Sequence, residues 1–269
     1  MKRTNCVRSV NAVLACASCP GDDAGGSLRS AGVVTPSIVP QATRLTTMRL
    51  LALLHGLGQT PQSWQDQVTE LPPGFRAVAP WLRGMRPART EEFSVEGAAD
   101  DVLALLNQYG VEQMSIVGVS LGAMVALDAA IRAPEAVSHL VLASGQINPP
   151  RSVMRMQRLA FSLIPAKRLA AMGVEKRRFL RALDAAAQID YRGRLGAVTA
   201  ATLVLVGDQD RANRPAAEAL AAGITGARLE VIPGAGQQVN TDNPAAFNKA
   251  VYDFLASAPP RRSSASMGA

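Results

Sequence analysis

Hydrophobic residues along the chain fall into short unbroken runs separated by stretches with a helical repeat, and this alternation begins abruptly at Met48. Met48–His55 is an apolar run halted at Gly56, the pattern of a strand buried on both faces. Arg76–Pro80, Met114–Val119, His139–Ala143, Thr202–Gly207 and Leu229–Ile232 read as further strands. Helices are expected at Ser63–Leu71, Val95–Tyr109, Leu121–Arg132, Pro215–Ala222 and Pro244–Leu255. In the second of these, Val95, Ala98, Ala99, Val102, Leu105 and Leu106 recur at helical spacing and stop at Gly110. Strands alternating with helices predict an α/β fold, a mostly parallel sheet flanked by helices.

The alternation breaks between Ile147 and Ala201, where about two helices fit and no strand does. Met154, Met156, Leu159, Phe161, Leu163 and Ile164 offer this segment a packing face. The reading is a domain over 48–256 with a small helical cap inserted at about 147–201. Residues 1–47 lack either periodicity and are broken by Gly21, Gly25, Gly26, Pro36 and Pro40. They read as a disordered extension or a start codon assigned too early, with Met48 as the alternative start. An export leader ending at Cys16 or Cys19 is the third reading, since Lys2, Arg3 and Arg8 precede the apolar piece Val10–Ala17. Residues 257–269, rich in Pro and Ser, read as a disordered tail.

Charge changes this picture only locally. The net charge of +7 lies largely in the ends: residues 1–47 carry five Lys/Arg against two Asp, and the tail adds Arg261 and Arg262. The body is nearly neutral, and with 4% aromatics nothing suggests a nucleic-acid partner. Within the body, residues 151–181 hold nine Lys/Arg and one acid, Glu175, which favours an anionic small-molecule substrate under the cap or, more simply, a solvated basic face. No apolar run approaches the ~20 residues of a membrane span. All three cysteines, Cys6, Cys16 and Cys19, precede the body, which fits a reducing, cytoplasmic compartment. The body has neither a metal-ligand cluster nor GxGxxG, so no metal and no nucleotide cofactor are expected.

The strongest chemical signal is Gly118-Val119-Ser120-Leu121-Gly122, which follows a predicted strand and opens a predicted helix. In that setting G-x-S-x-G makes a sharp turn that presents a serine hydroxyl above the sheet. Upstream, His55-Gly56-Leu57-Gly58 ends the first strand, where a loop can aim a backbone N–H at a developing oxyanion. The N–H groups of Leu57 and Leu121 would form that pair.

Taken with Ala79-Pro80-Trp81-Leu82-Arg83-Gly84, Leu203–Asp210 (LVLVGDQD) and Ile232–Gln237 (IPGAGQ), these motifs resemble the α/β-hydrolase superfamily in order and spacing over residues 48–256. The resemblance is to its small single-cap esterases, lactonases and C–C hydrolases. It implies Ser120 as nucleophile and Asp210 as the triad acid, with Asp208 as a competitor. It places His55, Gly56, Gly58, Trp81 and Met154 around the substrate, although Trp81 stands where relatives commonly carry aspartate and reads equally as a packing residue. Trp64 is expected to pack behind the oxyanion loop.

The pattern then departs from the family. The position following IPGAG, which belongs to the triad histidine, is Gln237. The chain has only two histidines, His55 and His139. His139 opens a predicted strand, so it should lie at the sheet edge opposite the elbow, about 16 Å from Ser120. His55 is expected to be a structural hydrogen-bonder, with a minor reading as substitute base. A glutamine amide cannot take the serine proton. Three functions stay open: an enzyme using the pocket, Ser120 and the oxyanion site for a non-hydrolytic or strongly attenuated reaction on a carbonyl substrate; a serine hydrolase carrying an inactivating glutamine; and a ligand-binding pseudoenzyme.

Overall fold

A computed structural model describes residues 12–13, 48–86, 89, 91–171 and 175–257, with only the backbone described for 12–13 and 169–171. The leader therefore lies outside the described residues except for Ala12–Val13, and the tail except for Ser257. Cys6, Cys16, Cys19, Arg261 and Arg262 are likewise outside them.

Among the described residues six strands of the body, joined at one edge by the two-residue strand Ala12–Val13, form the sheet: β1 (Arg49–Leu54), β2 (Phe75–Val78), β3 (Met114–Val119), β4 (Val137–Ala143), β5 (Ala201–Gly207) and β6 (Arg228–Ile232). All pair in parallel, in the order β2-β1-β3-β4-β5-β6, and Ala12–Val13 lies parallel to Ala77–Val78 at the β2 edge. Every residue of β3 and β4 is buried, so their lack of a polar face in the sequence reflects helices on both sides. Alternate side chains still serve separate layers. Leu50, Ala52 and Leu54 join the core under α2 (Val95–Tyr109) and α3 (Leu121–Arg132). Leu51 and Leu53 join Trp64, Phe247, Val251 and Phe254 on the other face, below α9 (Pro244–Ser257). Trp64 is fully buried there, as its expected packing role requires.

Local chemistry sets the helix limits. Ser94 caps α2 by accepting a hydrogen bond from the Gly97 N–H, and Gly110 ends it in the left-handed region at φ 64°. The expected helix Ser63–Leu71 is instead a 3-10 turn, Pro61–Trp64, running into the short α1 (Gln65–Thr69). β4 begins two residues earlier than expected, so His139 is its third residue rather than its first. It stays at the end of the sheet away from the elbow, buried against Ser138, Arg49 and the Phe254 ring.

The 147–201 segment holds three helices rather than two: α4 (Arg151–Leu163), α5 (Ala166–Ala171) and α6 (Lys176–Ala186). α6 buries Phe179, Ala182, Leu183 and Ala186, and its Arg178 donates to the backbone oxygens of Gly84 and Arg86. Beyond it, the Tyr191 hydroxyl donates to buried Asp128 of α3 at 3.3 Å. Burial, reinforced by that carboxylate, pushes the phenol far above its ordinary pKa. α7 (Arg214–Gly223) and α8 (Val239–Asp242) complete the domain. Among the described residues, no helix is long and apolar enough to cross a membrane.

Candidate active site

The carboxyl ends of β1, β3, β5 and β6 bring the sequence motifs to one edge of the sheet. Leu54 and Gly118 are in register, so the His55–Gly58 loop emerges beside the elbow. Ser120 sits between β3 and α3 at φ 52° and ψ −111°, a left-handed conformation rare for a side-chain-bearing residue. The flanking glycines explain how the turn closes. A Cβ on Gly118 would stand 2.4 Å from the Gly122 oxygen, and one on Gly122 only 2.1 Å from the Leu54 oxygen. Gly56 lies against the same turn, where a Cβ would meet the Val119 oxygen at 3.3 Å and the Ser120 Cβ at 3.4 Å.

Leu121 is the buried first residue of α3, and Leu57 is half-buried in the loop alongside. Among the described residues, no protein acceptor pairs with either backbone N–H. They are thus available to a ligand oxygen, at the helix end whose dipole favours negative charge. The Gly56 N–H, in contrast, is committed to Gln59 Oε1 at 2.8 Å.

Gln237 reaches this site. Its Nε2 donates to Ser120 Oγ at 3.1 Å, although the two residues are 117 positions apart in sequence. Its side chain is exposed, while the loop beneath is fixed. The Gly236 N–H donates to Asp242 Oδ2 at 2.9 Å, and Asn240, fully buried, accepts from Gln59 Nε2 and donates to the Ser63 carbonyl. Gln59 therefore ties the His55–Gly58 loop to the Gln237 loop. No sequence signal identifies it, because a glutamine in a polar loop has no periodicity to break.

Asp210 is buried, whereas Asp208 is exposed, which separates the two acids. Both Asp210 oxygens accept from Asn213 Nδ2, at 2.9 and 2.8 Å, and Oδ1 also accepts from the Asn213 N–H. Among the described residues, Asp210 bonds Asn213 and not Gln237. The Asp210 carboxylate is thus engaged with its own loop. Ser144, which follows β4, shares the left-handed conformation at φ 49°, and among the described residues its buried hydroxyl has no partner.

His55 is occupied elsewhere. Its Nδ1 donates to the Gly56 carbonyl at 3.0 Å and its Nε2 accepts from the Leu82 N–H at 3.3 Å. Burial holds its pKa down to about 4 despite the bond to Gly56. The ring is therefore neutral near pH 7 with both nitrogens used, and it pins the first loop to the Trp81-Leu82 segment. Trp81, half-buried, meets the His55 ring edge-on at 5.6 Å. Gly58, at φ 81°, faces the Phe179 ring of the cap. Met154 packs against the core cluster that includes Leu121. It lines a cavity of about 340 Å³ between α4 and α6, together with Arg151, Arg155, Leu183, Gln188 and the ion-paired Arg158 and Asp184. Among the described residues, no cluster of His, Cys, Asp and Glu could hold a metal ion.

Comparison with known proteins agrees with this architecture. A family model described as the alpha/beta hydrolase family matches residues 51–250. The RutD protein of Variovorax paradoxus, whose name assigns it to carbamate hydrolysis, is 28% identical over 241 residues, covering 76% of this chain and 90% of its own length. Epoxide hydrolase 3 of Xenopus tropicalis is 33% identical over 97 residues, but the match spans only 26% of that protein's length. The crystal structure of a hydrolase from Pseudomonas aeruginosa superposes with a TM-score of 0.69 at 26% identity, covering 78% of this chain and 90% of that one.

Proposed function

The chain belongs to the alpha/beta hydrolase family, and we propose that it polarises the carbonyl of a small substrate without an efficient acyl-enzyme step. The observation that carries this reading is the contact from Gln237 Nε2 to Ser120 Oγ. An amide N–H donating to the hydroxyl oxygen occupies a lone pair and removes no proton, so the serine is held as a hydrogen-bond donor rather than activated as a nucleophile. The free N–H groups of Leu57 and Leu121 would donate to the substrate oxygen, where electrostatic stabilisation needs no base on the protein. Cyclisation, elimination, isomerisation or a lyase step on an acidic carbonyl compound fits this equipment. Ester or lactone hydrolysis would survive only in attenuated form, since losing the base of a comparable triad costs about 10⁶ in turnover. The surplus of nine Lys/Arg over one acid across residues 151–181 favours a substrate that carries a carboxylate. Matched neutral and anionic ligands titrated across a salt series test that preference.

A second reading rests on the same contact. Because position 237 already reaches Ser120, the protein equally suits a serine hydrolase whose base has been replaced. Labelling with a fluorophosphonate separates the two from ordinary hydrolysis. The unmodified protein should label slowly at Ser120, and Gln237→His should label fast. Rapid labelling of the unmodified protein would overturn both readings. If His55→Ala then abolished it, His55 would be the base despite its two committed nitrogens.

A further inference from the structure

The helix α4 is amphipathic in an unusual sense, because its apolar stripe faces away from the protein. Met154 packs against the core, and Phe161 on the same side meets Phe179 at 4.5 Å between ring centroids. Those contacts use up the inward face. On the opposite side, Met156, Leu159 and Leu163 follow one another at spacings of three and four, which puts them on one face of the helix. They are 65%, 61% and 75% exposed, with Val153 beside them at 41%. No residue of this 13-residue helix is fully buried.

Charge decides what covers the stripe. Arg151 and Arg155 run along one flank, and Lys167 and Arg168 follow in α5, all exposed. Among the described residues, Arg155, Lys167 and Arg168 form no salt bridge. A second copy of the chain would bring the same surplus, nine basic residues against one acid over 151–181, onto itself. The chain's own ends are also basic, with five Lys/Arg against two Asp before residue 48 and no acid after residue 257. The occupant must therefore be anionic and accept plain alkyl side chains. A protein hot spot is usually anchored by aromatic groups, and the stripe has none. Alkyl groups dipping below a row of arginines match an anionic lipid surface.

We propose that α4 is an interfacial helix that seats the cap on an anionic membrane, with Met156, Leu159 and Leu163 entering the acyl boundary and Arg155, Lys167 and Arg168 at the headgroups. This docking is independent of the chemistry at Ser120, and the stripe points away from the cavity that Met154 lines.

Co-sedimentation of the full chain with phosphatidylcholine vesicles, with and without phosphatidylglycerol, tests it. Partitioning should require phosphatidylglycerol and weaken at raised salt. Changing Met156, Leu159 and Leu163 together to Gln should lower it by about a hundredfold. Changing Arg155, Lys167 and Arg168 together to Gln should lower it comparably. All six side chains are exposed, so circular dichroism and melting should stay as in the unmodified chain. Partitioning that survives the Gln substitutions belongs to another segment and overturns the proposal. So does equal partitioning on neutral vesicles, or none on either kind, which would leave an acidic protein as the partner.

Discussion

Two loops meet at Ser120, and they are held by different means. The elbow is fixed by backbone approach: any Cβ at Gly118 or Gly122 would stand within 2.4 Å of a carbonyl oxygen. The loop carrying Gln237 is fixed from below, through Asp242 and Asn240, and leaves its outermost side chain exposed. A residue at the elbow cannot change without moving strands, whereas a residue at 237 can change without the fold registering it. A substitution is therefore accommodated most readily at the exposed member of the site, with the rest still assembled around it.

The largest effect should come from refilling that member. Gln237→His should raise hydrolysis of a small activated ester by on the order of 10³–10⁴, with a rate that climbs through a pKa near 7. Ser120→Ala in the same background should abolish the gain. Asp210→Asn should remove most of it, because Asp210 must leave Asn213 to orient the new imidazole. In the unmodified chain Asp210→Asn should leave turnover nearly unchanged. If Gln237→His folds and gains nothing, the two loops are not aligned for acyl transfer and the contrast between them fails.

Gly122→Ala probes the other loop. The new methyl would collide with the Leu54 and His55 carbonyls, which belong to a strand end and cannot swing aside. A loss of about 4 kcal/mol in unfolding free energy is expected, at the upper end for single substitutions. A loss below about 1 kcal/mol would mean that the elbow is as adaptable as the loop at 237.

A third effect links the elbow side to pH. His55 is buried with its pKa at about 4, against an ordinary value of 6.5. Between those two values the unfolded chain binds a proton that the folded chain does not. Stability should therefore fall as pH drops from 6.5 toward 4 and level off below, by about 3 kcal/mol from this residue. Denaturant titrations across that window should show a shallower slope for His55→Gln. An unchanged slope would mean that His55 gains its proton without opening the loop.

The order of strands and helices and the sharp turn at Ser120 were legible in the sequence, because each rests on local pattern. Leu50–Leu54 could be nothing but a buried strand, and Gly118–Gly122 needs no distant partner to declare its turn. Other features depend on where the chain returns. The carboxylate of Asp210 turns to Asn213, three residues on, a choice set by loop geometry rather than residue type. Gln59 and Asn240 meet across 181 residues, and neither is unusual for a polar loop. Met154, expected to touch the substrate, lines the cavity between α4 and α6, a placement that only the packing of those helices decides. Helical spacing shows which residues share a face and not which way that face turns, and for the same reason the outward stripe of α4 passed for a packing face.

The smallest effect sharpens the comparison most. Gln237→Ala removes one contact from an exposed side chain, and water can replace what is lost at Ser120, so unfolding free energy should stay within about 0.5 kcal/mol. Gln59→Ala lies one layer below and should behave differently. It strands the Gly56 N–H and the Asn240 side-chain oxygen in partly buried surroundings, at a cost of about 1–3 kcal/mol. Paired urea titrations of the two variants read the difference directly. The reactivity readout should separate them in the same sense. Since the amide at 237 takes no proton from Ser120, its loss should leave fluorophosphonate labelling as slow as before. Loss of Gln59 frees the oxyanion loop and should weaken ligand binding at Leu57. A destabilisation by Gln237→Ala as large as that by Gln59→Ala would show that the glutamine holds the two loops together, and position 237 would then be a structural tie rather than a vacated catalytic one.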